Sequence, residues 1–231
     1  HLKKKGFEVI RDECGWNKKL MINHRKKPFS HKSFRHALAF AIDRGEIITR
    51  AQRGFGTPAS YGLLSVDHSM YNPKTPSYAF NPEKARHLIE SLGYKKTPEG
   101  FYHLAGKPLK LELLSSNINI GGQNLPERDG QIIKRQLENV GIYVDLVHLE
   151  QTTADNKIRN WDFDLAVSGH GGVTGDPKIL NEMISSRYGS GSVNSARYDE
   201  SPELNRLLES QLSAMNEESR KKIVFRIQEV Y

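Results

Sequence analysis

Four glycines occur within the eleven residues Val167-Ser168-Gly169-His170-Gly171-Gly172-Val173-Thr174-Gly175-Asp176-Pro177. An apolar run (163–168) precedes them, and a stretch that reads as a short helix (178–186) follows. A glycine-rich turn between strand and helix can cradle phosphate on its backbone N–H groups and the helix N-terminus. The spacing here is G-x-G-G-x-x-G, with no Lys-Ser/Thr pair after the last glycine, so neither the dinucleotide fingerprint nor the phosphate loop fits. Asp176-Pro177 follows instead, and an aspartate at a helix start suits the helix dipole while repelling phosphate. His170 and Asp176 could act as base and orienter of a small hydrolase, but no nucleophile is specified. G-x-S-x-G and H-E-x-x-H are both absent, and His31 and His36 do not share a helix face. Asp162 and Asp164 flank Phe163 at a strand entrance. They read as one exposed carboxylate and one near backbone donors, in preference to a catalytic pair. Cys14 is the single cysteine, which excludes an internal disulfide and a Cys-rich metal site.

A binding loop is the reading that remains. Glycines let a ligand lie against the backbone, and ligands of open α/β sheets collect at the carboxyl ends of strands. Two segments rich in Gly, Asn and Ser, 115–126 and 168–176, would share that rim as loops. Ser116, Asn117 and Asn119 are the candidate contacts from the first. Ser168, Gly169, His170, Gly171, Gly172, Val173, Thr174 and Asp176 are those from the second. Plain tight turns are the alternative.

Elements that would position such loops are legible along the chain. A strand is expected at 19–23. Phe34, Ala37, Leu38, Ala41 and Ile42 recur at helical spacing, with Ser30 or Ser33 as cap, and a second helical piece runs to Gly54. Residues 55–80 keep their aromatic residues and read as an ordered loop. Asn81-Pro82 caps a helix that stops at Gly93. A hairpin turns at 105–108 into a buried strand (109–115). Then come a helix (127–140), a strand (142–150), a short helix (153–161) and the strand 163–168. This alternation implies an α/β layer with crossover connections. Two helices close the chain, 202–215 and 217–231, capped by Ser201 and Asn216.

The chain has 231 residues, a net charge of +7 and a mean hydropathy of -0.61. The basic excess is local: residues 1–53 hold fourteen Lys or Arg against five Asp or Glu. A basic nucleic-acid-binding module is thus an alternative function, although no aromatic-interleaved basic motif supports it and a solvated surface is the plainer reading. No apolar run approaches the roughly 18 residues that a membrane span needs. The chain opens on His rather than Met, which suggests a piece of a longer protein.

The ordered motifs Asn23, Pro28-Phe29, Arg35-x-Ala37-Leu38, Ala41-Ile42-Asp43-Arg44 and Gly54-x-Gly56-x-Pro58-Ala59 lead on to Asn81–Ala85 and Gly93-Tyr94. Gly106–Leu109, Phe163-Asp164, Asp176-Pro177, Asn194, Tyr198 and Leu207 continue the series. In this order they resemble the bacterial extracellular solute-binding proteins of the peptide/nickel class, family 5. The resemblance implies a periplasmic-binding-protein-like α/β lobe, a central mixed sheet with helices on both faces. Residues 1–231 would be the second lobe of a two-lobed receptor, with 1–25 an inter-lobe crossover segment. The first lobe would precede residue 1, and strands returning to it would follow Tyr231. Such receptors capture short peptides or related small solutes for a membrane ABC permease. They act as monomers, without cofactor, metal or catalysis, in the periplasm or tethered outside the membrane. No nucleic-acid partner is implied. Dipeptide receptors typically carry Trp and Asp where His170 and Val173 stand here. The arginine some of them place after the earlier strand has no counterpart, the nearest being Arg128.

Overall fold

A computed structural model of the chain describes residues 5, 6, 8, 15–120, 123–126, 128–185, 187 and 201–231, with the backbone alone for 117–120 and 123–126. The order is β1 (Trp16–Ile22), α1 (Lys32–Ala41), α2 (Arg44–Arg50), α3 (Pro82–Ser91), β2 (Lys95–Lys96), β3 (Tyr102–Leu104) and β4 (Lys107–Pro108). Then follow β5 (Lys110–Ile120), β6 (Gln123–Pro126), α4 (Arg128–Val140), β7 (Tyr143–Leu149), α5 (Gln151–Arg159), β8 (Leu165–Gly171), α6 (Ile179–Ile184), α7 (Pro202–Leu212) and α8 (Glu217–Val230).

The sheet is mixed. β5 pairs parallel with both β7 and β8, β1 runs antiparallel to β8, and β6 folds back antiparallel on the end of β5. Alternation along the strands divides the core between two faces. Leu111, Leu113, Val144, Leu165 and Val167 meet Phe34, Leu38, Ile89 and Leu137 of α1, α3 and α4. On the other face Met21, Leu114 and Ala166 meet Ile158 of α5 and Phe163. A third cluster joins Leu64, Met70 and Val173 to α6, α7 and α8 through Leu180, Leu204, Leu208, Val224 and Ile227. Residues 55–80 are ordered as expected: Leu64 is buried and Tyr61 Oη donates to Tyr78 O at 2.7 Å.

Local signals set most boundaries. Asn81, Ser201 and Asn216 each accept the backbone N–H three residues on, at 2.9, 3.2 and 2.9 Å, as N-caps do. The hairpin turn rests on Ala105 and Gly106, both with positive φ (50° and 77°), as a two-residue turn requires. Asp164 meets its backbone donor: Oδ2 accepts Glu112 N–H at 3.0 Å while Oδ1 pairs with Lys26 at 3.0 Å. Asp162 is exposed and pairs with Lys157.

Several boundaries depart from the sequence reading. α1 is capped by His31 without a side-chain bond, not by Ser30 or Ser33, and α2 ends at Arg50. α7 ends at Leu212, and Glu150 caps α5 two residues early. Residues 115–120 and 123–126 are strand rather than loop. β5 continues through Ile120 and pairs with β6, because Ile118 and Ile120 alternate with asparagines as strand residues do. β8 likewise runs on to Gly171, because β1 supplies a partner along its whole length. Residues 16–22 of the expected crossover segment are that partner strand. Cys14, Asn194 and Tyr198 lie outside the described residues.

Candidate functional site

The strand ends sort the expected contacts by face. Lys19 stands opposite Ser168 and Asn17 opposite His170 in the β1–β8 pair, so these four side chains share the face of Met21 and Ala166. Ser116, two residues beyond Leu114 on the adjacent strand β5, stands on the same face and is buried. The fold thus brings together Ser116, Ser168 and His170, taken from both segments. Asn117 and Asn119 pair with Pro126 and Asn124 through the backbone; their side chains lie outside the described residues.

Gly169 and Gly171 serve the opposite face. A Cβ on Gly169 would stand 2.6 Å from Trp16 Cζ2, and one on Gly171 would stand 3.6 Å from Trp16 Cε3. The indole of β1 thus occupies the room Gly169 leaves, whereas at Gly171 it stands at ordinary contact distance. Gly172 has φ 78° and opens the turn out of β8. Val173 is buried in the third cluster, and its carbonyl accepts Ser65 N–H at 3.1 Å. Thr174 is half-buried, and His68 Nε2 lies 2.7 Å from Gly175 O.

Asp176 is held at the far end of the turn. Its carboxylate accepts Lys178 N–H at 2.8 Å and pairs with Arg220 at 2.5 Å, and these contacts, Arg220 foremost, hold its pKa below the usual carboxylate range. Burial, with the Lys19 charge second, pushes the His170 pKa down, and Glu182 opposes them. His170 Nε2 is shielded and has no hydrogen-bond partner, so Asp176 does not orient it through that nitrogen. With its carboxylate taken up by Arg220 and the Lys178 N–H, Asp176 gives no support to the pair as base and orienter of a hydrolase.

Sequence reasoning missed the β1 side chains. Burial lowers the Lys19 pKa to about 8. Its neighbour Lys18, on the other face, pairs at 2.5 Å with buried Asp129, which also accepts Gln52 Nε2 at 3.2 Å. An apolar cavity of about 480 Å³ lies beside this pair, walled by Leu20, Leu38, Ile47, Phe55, Leu63 and Val173. No periodicity announces these neighbours, since β1 and β8 are about 150 residues apart in sequence. Among the described residues no three of His, Cys, Asp or Glu converge as metal ligands would, and no helix is long and apolar enough to cross a membrane.

The motif residues that carried the resemblance brace this frame. Asn23 Nδ2 donates to Phe163 O (2.8 Å) and Trp161 O (3.0 Å), locking the end of β1 to the start of β8. Arg35 Nη1 donates to Phe29 O and Ser30 O, and Arg44 stacks over Tyr61 while donating to Ala59 O.

Residues 2–192 match the family described as bacterial extracellular solute-binding proteins, family 5 Middle. The chain belongs to that family. Among family 5 relatives, heme-binding protein A of Haemophilus influenzae is 28% identical over 204 residues, covering 88% of this chain and 35% of that protein. The oligopeptide-binding protein AppA of Bacillus subtilis is 28% identical over 161 residues, covering 67% of this chain and 27% of AppA. The solved structure of AppA with a nonapeptide superposes with a TM-score of 0.80 at 24% identity, over 95% of this chain and 43% of that one. HbpA2 of Haemophilus parasuis gives 0.79 at 25% identity, over 95% and 41%. The chain therefore spans well under half the length of the family 5 proteins it matches, and its fold is theirs.

Proposed function

We propose that the chain is the second, ligand-gripping lobe of a two-lobed solute receptor that delivers short peptides or a related small solute to a membrane ABC permease. The observation that carries this reading is the convergence of Ser116, Ser168 and His170 on one sheet face, in the carboxyl-terminal halves of the parallel strands β5 and β8, within a family 5 fold. Thr174 and the backbone of Gly172 extend the surface, and Asp176 anchors the turn through Arg220. Val173 contributes from its buried position by fixing the loop to the third cluster. The 28% identity to the oligopeptide-binding protein AppA supports peptides among solutes. The receptor is a non-catalytic monomer acting outside the cytoplasmic membrane, and residues 1–25 link its lobes.

Native mass spectrometry of the full-length receptor, purified without denaturation, tests this. Co-purified peptides that release on mild activation are expected. Ligand-free protein that also fails to bind added peptide mixtures would contradict the peptide assignment.

A further inference from the structure

The apolar cavity beneath the other face of the sheet is bordered by β1, α1, α2 and residues 55–67. Its volume of about 480 Å³ falls among small-molecule pockets, which run from roughly 300 to 1,000 Å³. Its walls are chiefly hydrocarbon, from Leu20, Leu38, Ala39, Ile47, Leu63 and Val173. Of the two carboxylates on its lining, Asp129 is matched by Lys18 and Asp67 is exposed to water. Arg44 stands where this cavity meets a smaller one of about 250 Å³, and residues 58–61 border both. Its guanidinium lies over the Tyr61 ring, 4.0 Å from the centroid, while Nη1 donates to Ala59 O at 2.5 Å. The Nε–Nη2 edge has no hydrogen-bond partner among the described residues, and no carboxylate there pairs with this cation. The smaller cavity adds Tyr71, Thr75 and Ser77, whose hydroxyls make no hydrogen bond among the described residues, and no acidic side chain lines it. A half-buried guanidinium on an aromatic ring is screened less than an exposed cation, so it attracts an anion more strongly. Its open edge matches the two oxygens of a carboxylate, and hydrocarbon walls favour an alkyl chain over water.

We propose that this cavity binds an alkyl carboxylate, with the chain among Leu38, Ile47 and Leu63 and the head group on Arg44. The site lies across the sheet from Ser116, Ser168 and His170, because Leu20 and Val167 on its lining alternate with Lys19 and Ser168. It is therefore a second site that goes beyond the receptor reading and does not depend on it.

Backbone amide shift titrations of the 231-residue chain with octanoate, 1-octanol and trialanine test the site, using wild type, Arg44→Gln and Ala39→Phe. In wild type octanoate should shift Leu38, Ile47, Phe55 and Leu63 saturably. It should bind at least about tenfold more tightly than 1-octanol, as a charge-assisted hydrogen bond implies. Trialanine, which lacks the alkyl chain, should leave these residues unmoved. The preference for octanoate should fall to near one in Arg44→Gln. Ala39→Phe, which places a ring in the cavity, should weaken octanoate and 1-octanol alike by at least about tenfold. Absence of saturable shifts around the cavity with octanoate, or 1-octanol bound as tightly as octanoate by wild type, overturns the proposal. So does a preference kept in Arg44→Gln, or undiminished binding by Ala39→Phe. If either variant fails to fold, the wild-type ratio and the remaining variant decide.

Discussion

Trp16 lies across Gly169. The indole fills the space that a side chain at residue 169 would need, with its Cζ2 2.6 Å from the position a Cβ would take. The glycine is thereby a packing requirement of the β1–β8 pair, separate from any ligand approach on the other face. Gly169→Ala should destabilise the fold by about 1–3 kcal/mol through overpacking. Most of that loss should disappear in the Trp16→Ala background, giving a coupling of at least about 1 kcal/mol in a double-mutant cycle followed by urea unfolding.

The Lys18–Asp129 pair is lopsided: the lysine side chain is 34% exposed and the carboxylate 3%. Removing Asp129 leaves an ammonium that water can reach, whereas removing Lys18 leaves a buried carboxylate with Gln52 as its remaining side-chain partner. Lys18→Ala should therefore cost more than Asp129→Asn, about 3 kcal/mol against about 1. Equilibrium unfolding of the two variants gives the order directly.

Gln211 ties the turn after β8 to α7. It is buried, donates to Pro177 O at 3.0 Å and reaches Asn181 Oδ1. Gln211→Leu leaves both acceptors without that donor and should cost about 1–3 kcal/mol. Hydrogen exchange at residues 177–181 should speed up, and trialanine binding should weaken as the turn loses its anchor.

Lys19 gives a pH signature of its own. Its folded-state pKa, about 8, lies below the ordinary 10.5, so between these values the unfolded chain binds more protons than the folded one. Stability contributed by this group therefore rises with pH across that window. Lys19→Gln should be more stable than wild type at pH 7 by about 1 kcal/mol, the partial exposure of the side chain limiting the effect. The advantage should shrink as pH rises from 8 towards 10.5. A difference that stays constant across this range would show that the ammonium is not desolvated.

Helix and strand periodicity made most elements legible, and Asn81, Ser201 and Asn216 marked helix starts that the backbone obeys. Asp164 met its expected backbone donor because the strand-start position fixes it locally. Long-range pairing was not legible. The asparagines and Gly121-Gly122 suggested a loop, while residues 117–120 and 123–126 pair as strands. Gly169 suggested open backbone, but Trp16 fills that space from far away in the sequence. The same distance hid Lys19, whose neighbours are set by the register of β1 on β8. The family motifs identified the frame, and their Asn23, Arg35 and Arg44 hold loops in place through backbone carbonyls.

The central claim is that a solute is held on the face where Ser116, Ser168 and His170 meet. A receptor binding at about micromolar and dividing its contacts equally between two lobes would leave one lobe binding at about millimolar. Backbone amide shift mapping of the labelled 231-residue chain with trialanine tests this most directly. Saturable shifts confined to Ser116, residues 168–174 and the facing residues of β1, with a millimolar dissociation constant, are the predicted result. Shifts clustered instead at Leu38, Ile47 and Phe55 around the apolar cavity, or none at any peptide concentration, would contradict it.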